Sequence, residues 1–336
     1  MTRDETRNAG RNANMKIFIT GINGYIGRNL QAYFNSPDYE LIGIKRSDLY
    51  SGIYNTSQPH CIIHLAGLSK ETNDPKLAEA YRQVNTDLTK TVYDFFLASS
   101  ASTFIFFSTV KAAAEFSETP LIETAIPHPA TIYGRSKVEA EAYILDNLPH
   151  DGRKVYILRP CMIHGPEPKQ NLVALYNYFR KGLPWPFGNL SNNRSYLSIG
   201  NLNFILEKLI ERNFHSSFVI RHSSFNLPSS GLYHLADDSP LSTKRIIELI
   251  GETLGKKPRM INLPAWSIKA IARIGTLLHL PINQETIKKL TGNYIVSNEK
   301  IKKALNISNL PVSAEEGMRY TFEIMNHTKN GTGKKV

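Results

Sequence analysis

A chain of 336 residues with 41% apolar and 10% aromatic residues has enough hydrophobic material to bury a large core in one or two units, which excludes a predominantly disordered protein. The 40 Lys+Arg against 29 Asp+Glu give a formal charge of +11, part of it carried by the polar termini, and no Lys/Arg block forms a nucleic-acid-binding stripe. No stretch reaches the roughly 18 uninterrupted apolar residues of a membrane span. The remaining positive charge suits nucleic acid, an anionic membrane surface or a small polyanionic ligand, and by itself does not choose among them.

The polar leader 1–14, MTRDETRNAGRNAN, has no apolar stretch of a secretory signal, and the fold is expected to begin at Met15. KIFIT (16–20) reads as a strand, followed by a glycine-rich turn and an amphipathic helix over 25–34. Near-continuous apolar runs at 39–45, 60–65, 103–108 and 154–158 read as further strands, with helices at about 77–99 and 131–147 between them. Runs of this kind belong to a parallel sheet covered on both faces, so the fold class is α/β, a Rossmann-type doubly wound sheet. A dinucleotide-binding domain is placed at 15–165, with elements at about 196–230 returning to it. After Pro160 the texture turns to Pro-rich and aromatic loops, and a smaller substrate-facing region is expected over 166–326, with helices near 170–181, 201–212 and 242–254, before a flexible tail at 327–336. The segment 265–280 carries an apolar face with Lys269 and Arg273, which suits a helix covering the core better than one lying on a membrane surface. Cys61 and Cys161 lie in apolar runs without metal spacing and read as buried thiols of a cytoplasmic protein; no metal site is expected.

The turn after the first strand is Thr20-Gly21-Ile22-Asn23-Gly24-Tyr25-Ile26-Gly27. Three glycines at three-residue spacing between a strand and a helix permit a tight turn and close pyrophosphate approach at a helix N-terminus. At the end of the second strand, Lys45 and Arg46 stand where a carboxylate would bind the ribose of NAD and a cation the 2′-phosphate of NADP, which favours NADP(H) over NAD(H), with Asp48 close by. In YGRSK, Tyr133 and Lys137 are four residues apart on one helix face, and an ammonium there lowers the tyrosine pKa toward the working range for proton exchange with a hydroxyl or carbonyl. The same spacing by itself also describes an exposed helix pair. The strand FIFF ends in Ser108-Thr109, hydroxyls at the carboxyl edge where ligands of such sheets collect.

Taken in order, TGxxGxxG, HLAG (64–67), Asn85 in QVNTD, FFST, YGRSK and LRPxxxxGP resemble the extended short-chain dehydrogenases/reductases of the NAD-dependent epimerase/dehydratase family over about residues 15–326. The resemblance implies Thr109, with its neighbour Ser108, as the catalytic hydroxyl, Tyr133 as acid/base and Lys137 as activator and ribose ligand. It extends the cofactor set to Gly21, Asn23, Gly24, Tyr25, Ile26, Gly27, Lys45, Arg46, Leu65, Ala66, Gly67, Asn85, Tyr133, Lys137 and Pro160. Within the family, an asparagine at a helix start, an aromatic-glycine loop and a late arginine bind nucleotide sugars; here they are Asn171, Phe187-Gly188 and Arg194, which together with Thr109 imply a UDP-linked sugar. YGRSKxEAE and GLPxPFG resemble bacterial 4-epimerase-like proteins and 4-keto-6-deoxy sugar reductases of polysaccharide precursor synthesis, commonly homodimers. The resemblance thus implies oxidoreduction at C4 of a nucleotide-linked, UDP-type hexose, by an NADPH-consuming reductase of a 4-keto-6-deoxy-N-acetylhexosamine or by a 4-epimerase of a UDP-hexose or UDP-N-acetylhexosamine that retains NAD. Val110-Lys111 stands where hexose dehydratases carry an Asp-Glu pair, which argues against elimination, and a non-enzymatic NADP-sensing regulator of this fold would lack the Tyr/Lys pair.

Overall fold

The computed structural model describes residues 14–50, 58–168, 170–186, 188, 192–218, 227–263 and 291–329. The leader 1–13, the tail from 330, the amphipathic segment 265–280 and Phe187 lie outside the described residues.

Among the described residues six strands, all parallel, form the main sheet in the order β2 (Tyr39–Ile44), β1 (Met15–Thr20), β3 (Cys61–His64), β4 (Thr103–Phe107), β6 (Lys154–Pro160), β9 (Gly231–Leu235). Their register brings Thr20, Ile44, His64, Phe107, Pro160 and Leu235 toward one edge. The chain steps from β1 outward to β2 and then returns to β3 on the other side of β1. The crevice for a ligand therefore opens above the carboxyl ends of β1 and β3, where the winding reverses.

Strand alternation divides the apolar side chains between two layers. Ile17, Ile19, Ile63, Ile105 and Leu158 face α1 (Tyr25–Tyr33) and α7 (Ile199–Phe218), whereas Phe18, Ile62, Phe104, Phe106 and Ile157 face α4 (Leu88–Ala98) and α5 (Ile132–Asp146). Because both faces are covered, these strands read as continuous apolar runs. A separate core joins α6 (Gln170–Arg180), α8 (Thr243–Leu254) and the last helix, α10 (Ala314–Lys329), around Tyr176, Phe179, Ile247, Ile250, Met318 and Phe322. Both cysteines are buried and free, and burial raises both thiol pKa values.

The strands and helices read from the sequence in the first half are present within a residue or two at most ends. Two features differ. The expected continuous helix over 77–99 is a 3₁₀ turn (Pro75–Leu77), a short α3 (Ala78–Tyr81), a π-helical turn (Arg82–Asp87) and then α4. The part of the chain that returns to the main sheet runs past 230, because the edge strand is β9 at 231–235; its partners on β6 are the residues Tyr156–Pro160. The remaining short elements are β5 (Ser117–Leu121) paired with β10 (Tyr294–Val296), β7 (Met162–His164) paired with β8 (Tyr196–Ser198), α2 (Arg46–Tyr50) and α9 (Glu299–Ala304).

His64 shows how the crevice is held. Ala66 N–H donates to Thr20 Oγ1 (3.2 Å), and Thr20 is 2.6 Å from His64 Nδ1. His64 Nε2 lies 2.9 Å from Thr89 Oγ1, which donates to the Asn85 carbonyl at 2.6 Å. This chain of bonds runs in one direction if His64 carries its proton on Nε2, and it ties the glycine turn to the π-helical turn. Burial, with the Lys137 charge adding to it, lowers the His64 pKa to about 3; burial likewise lowers that of His234 to about 4, with Leu121 O bound at Nδ1. Both rings protonate more readily in the unfolded chain, at about 6.5. Their contribution to stability is therefore full above pH 6.5 and declines as the pH falls from there toward 4 and 3. Thermal unfolding followed from pH 7.5 to 4 is expected to show a falling midpoint across that window, less steeply in a His64→Gln variant.

Candidate active site

The glycine turn makes contacts that tolerate no side chain at two positions. Gly21 has φ +72°, and a Cβ there would stand 2.8 Å from Ala66 N; one on Gly27 would stand 2.2 Å from Ile22 O. Gly21, Asn23, Gly24 and Gly67 are exposed along the crevice, with Leu65, Ala66 and Ile26 half-buried beside it. The open, glycine-lined edge at the start of α1 fits a nucleotide diphosphate, whose charge the first backbone N–H groups of the helix would meet. Tyr25 differs from the rest of the set. Its ring is buried, and its hydroxyl lies beneath Gly165 without a hydrogen-bond partner among the described residues.

Lys45 and Arg46 are exposed immediately after β2. Asp48, in the first turn of α2, is turned back on the residues before it: Oδ2 accepts from Lys45 N–H (3.1 Å) and Oδ1 from the Ser47 hydroxyl (2.9 Å).

Three consecutive residues at the end of β4 are held by three residues of α5 spaced one turn apart. Lys137 Nζ donates to Phe107 O (2.9 Å) and lies 4.7 Å from the centre of the Phe106 ring. The Ser108 hydroxyl donates to Glu141 Oε1. Thr109 stands beside Tyr133, whose phenol pKa it lowers, and its hydroxyl oxygen accepts from Lys111 N–H (3.2 Å), capping the turn Val110–Ala112. The helix begins just before Tyr133 because Thr131 caps it, its Oγ1 accepting from Gly134 N–H at 3.1 Å. A Cβ on Gly67 would come within 3.3 Å of Lys137 Nζ and 3.0 Å of Asn85 Oδ1, so the Lys137 ammonium borders the crevice.

This geometry corrects three expectations. Ser108 does not offer its hydroxyl to the crevice, since it is buried and committed to Glu141, which leaves Thr109 as the hydroxyl beside Tyr133. Asn85 is fully buried; its amide clamps Leu68 through both N–H and C=O (2.8 and 3.0 Å) and reaches Ser136 Oγ (3.0 Å), so it acts by fixing the HLAGL loop against α5. Tyr133 is not brought toward neutral pH by Lys137 in this structure. Burial raises its pKa to about 12, partly opposed by Thr109, while burial lowers that of Lys137 to about 8, partly opposed by Glu141. Pro160 closes the carboxyl end of β6, paired with Leu235.

On the other side of Tyr133 lies a charged cluster absent from the expected set. Lys111 Nζ is 3.0 Å from Glu115 Oε1, 3.9 Å from Glu71 Oε1 and 4.8 Å from the centre of the Tyr294 ring. The Glu71 charge also raises the Tyr133 pKa. Arg194 shares the same Tyr294 ring (5.8 Å) and donates to Gly292 O (3.3 Å). Asn171 falls in the first turn of α6. His164 is fully buried, its Nδ1 3.0 Å from Thr321 Oγ1 and Nε2 3.5 Å from Asp237, in keeping with a structural histidine. The departure of Val110-Lys111 from an acidic pair was the only sequence signal for the Lys111 cluster. Among the described residues no group of three His, Cys, Asp or Glu could hold a metal ion, and no helix is long and apolar enough to cross a membrane.

The profile of the NAD dependent epimerase/dehydratase family matches residues 17–217, more than half of the chain. The chain is 26% identical to a UDP-glucose 4-epimerase of Vibrio cholerae over 94% of its own length and 96% of the relative's. It is also 26% identical to a GDP-6-deoxy-D-mannose reductase of Pseudomonas aeruginosa, over 74% and 84% respectively. Among solved structures, RMD from Pseudomonas aeruginosa complexed with NADPH superposes with a TM-score of 0.67 at 18% identity, covering 92% of this chain and 98% of the other.

Proposed function

The chain belongs to the NAD dependent epimerase/dehydratase family, an enzyme family of nucleotide-sugar epimerases and reductases, and on that premise we propose that it reduces the C4 ketone of a UDP-linked 4-keto-6-deoxy-N-acetylhexosamine with NADPH, as part of polysaccharide precursor synthesis. The observation that carries the nicotinamide chemistry is the triple attachment of β4 to α5, which sets Thr109, Tyr133 and Lys137 together beside the crevice. When bound, the nicotinamide supplies the hydride. Thr109 holds the C4 oxygen, and Tyr133, protonated at neutral pH, donates the proton that turns that oxygen into a hydroxyl. The Lys137 ammonium stabilises the phenolate left behind and holds the ribose through its donors.

The preference for NADPH rests on the exposed Lys45 and Arg46 and on an Asp48 whose oxygens are already engaged. Changing both cations to alanine is expected to raise KM for NADPH about 10- to 100-fold, the loss of two charge-assisted phosphate contacts, and to leave KM for NADH nearly unchanged. Steady-state kinetics with each cofactor checks this. Asn171, Phe187 and Arg194 remain the proposed contacts to the nucleotide diphosphate and its base, with Lys111 and Glu71 reading the sugar beside Tyr133.

A second reading, a 4-epimerase that retains NAD, draws support from the Vibrio relative, which matches nearly end to end. Both are tested by one experiment. The purified protein is denatured to release and identify any nicotinamide, and NADPH absorbance is followed with UDP-4-keto-6-deoxy-N-acetylglucosamine. Stoichiometric NADPH loss establishes the reductase; copurified NAD with no net turnover, together with interconversion of UDP-N-acetylhexosamines, replaces it with the epimerase.

A further inference from the structure

We infer that Glu141, anchored by Arg159, is a positioning residue for Lys137: one helical turn away, it holds the carboxyl end of β4 against the face of α5 that carries the ammonium. This rests on the reading of Lys137 and Tyr133 proposed above.

Glu141 and Arg159 are buried, with side chains 3% and 2% exposed, and they meet in a two-pronged contact: Arg159 Nε donates to Oε1 (2.8 Å) and Nη2 to Oε2 (2.5 Å). Ser108 adds a third donor. A carboxylate this deep in a core needs a structural or electrostatic reason, since apolar side chains of the same volume would fill the space at lower desolvation cost. Its position supplies one. Glu141 is one helical turn beyond Lys137, on the face that carries Tyr133, and its partners are the residue beside Thr109 and the penultimate residue of β6. The pair thus ties three elements together at the height of the reacting groups, and β4 and β6 are joined there also by Ser108 N–H donating to Leu158 O (2.8 Å).

Among the described residues, Tyr133 and Glu141 share the helix face of Lys137, the neutral His64 of β3 feels its charge, and Arg159 of β6 is bonded to Glu141. The remaining neighbours are the Phe107 carbonyl, the Phe106 ring and the Asn85 amide beside Gly67. Burial works against the ammonium, and Glu141 is the group that opposes it. Removing the Glu141 charge therefore makes Lys137 lose its proton at lower pH. A merely structural role for Glu141 would disturb stability without moving that titration.

Lysine-selective ¹³C labelling of the cofactor-free protein reads the Lys137 titration directly, with Lys137→Ala identifying its resonance. In Glu141→Gln the midpoint is expected to fall, with about a tenfold rise in the acid dissociation constant of the ammonium, and Glu141→Asp is expected to restore most of it. The double variant Glu141→Met/Arg159→Met replaces the buried pair by apolar side chains, a change that commonly leaves a core folded, and it lowers the midpoint in the same sense. A midpoint unchanged in the variants that fold overturns the inference. Failure of both Glu141→Gln and the double variant to fold overturns it as well, because the pair is then a structural requirement and nothing more. The outcome does not depend on the substrate: absent reductase activity in the wild-type protein overturns the functional reading and leaves this titration to be judged alone.

Discussion

Tyr133→Phe is expected to fold as the wild type does and to bind nicotinamide nucleotide with little change, yet to lose about 10²- to 10⁴-fold in kcat, the range supplied by a positioned general acid. The substitution removes one oxygen from a ring that is 9% exposed and leaves its packing intact. What it takes away is the phenolic proton that the proposed reaction delivers to the C4 oxygen. The pH profile separates this role from a positional one. With a phenol pKa near 12, Tyr133 stays protonated through the neutral range, so reduction is expected to be flat below pH 8 and to decline above it as the Lys137 ammonium is lost. Residual turnover in Tyr133→Phe should show no recovery at either end of the range. A variant that keeps more than a tenth of wild-type kcat would assign the proton to another group, and Lys111 beside Glu71 is the first to examine.

Those pKa values mark one boundary of what the sequence discloses. The spacing of Tyr133 and Lys137 is visible because helical periodicity puts residues four apart on one face. Their ionisation depends on burial and on Glu141, which arise only when α5 packs on β4. The sheet was legible for a related reason: strands buried on both faces leave continuous apolar runs, and the glycines of the first turn are required by close contacts to Ala66 and Ile22 that admit no Cβ. β9 was not read as a strand because GLYHL is short, and its place on the sheet is decided by pairing with β6, more than 70 residues earlier. The π-helical turn at 82–87 inserts one residue into an otherwise regular amphipathic pattern, and that shift is what turns Asn85 inward to clamp Leu68. Asn85 could be recognised as a site residue by resemblance, but its buried role could not. Lys111 was noticed through an absence, a cation where an acidic pair would serve elimination, while its contacts with Glu71, Glu115 and Tyr294 join segments far apart in the sequence.

Glu141 and Arg159 were the least legible. Each reads as an ordinary charged residue in its own element, and only the register of β6 against β4 and the face of α5 make them partners. The energetic consequence is correspondingly large. Arg159→Met leaves Glu141 as a buried carboxylate with the Ser108 hydroxyl in place of a guanidinium, and breaking a buried pair from one side costs about 3–5 kcal/mol. That is a substantial part of the roughly 5–15 kcal/mol by which a folded protein exceeds its unfolded state, so urea denaturation of Arg159→Met at pH 7.5 should show a sharply lower midpoint. The double change to methionine at both positions removes the stranded charge and should recover most of the loss. If Arg159→Met and the double variant are equally unstable, the cost lies in the shape of the guanidinium within the β4–β6–α5 junction and not in the charge it neutralises. If Arg159→Met is as stable as wild type, the guanidinium is not what holds the β4–β6–α5 junction together.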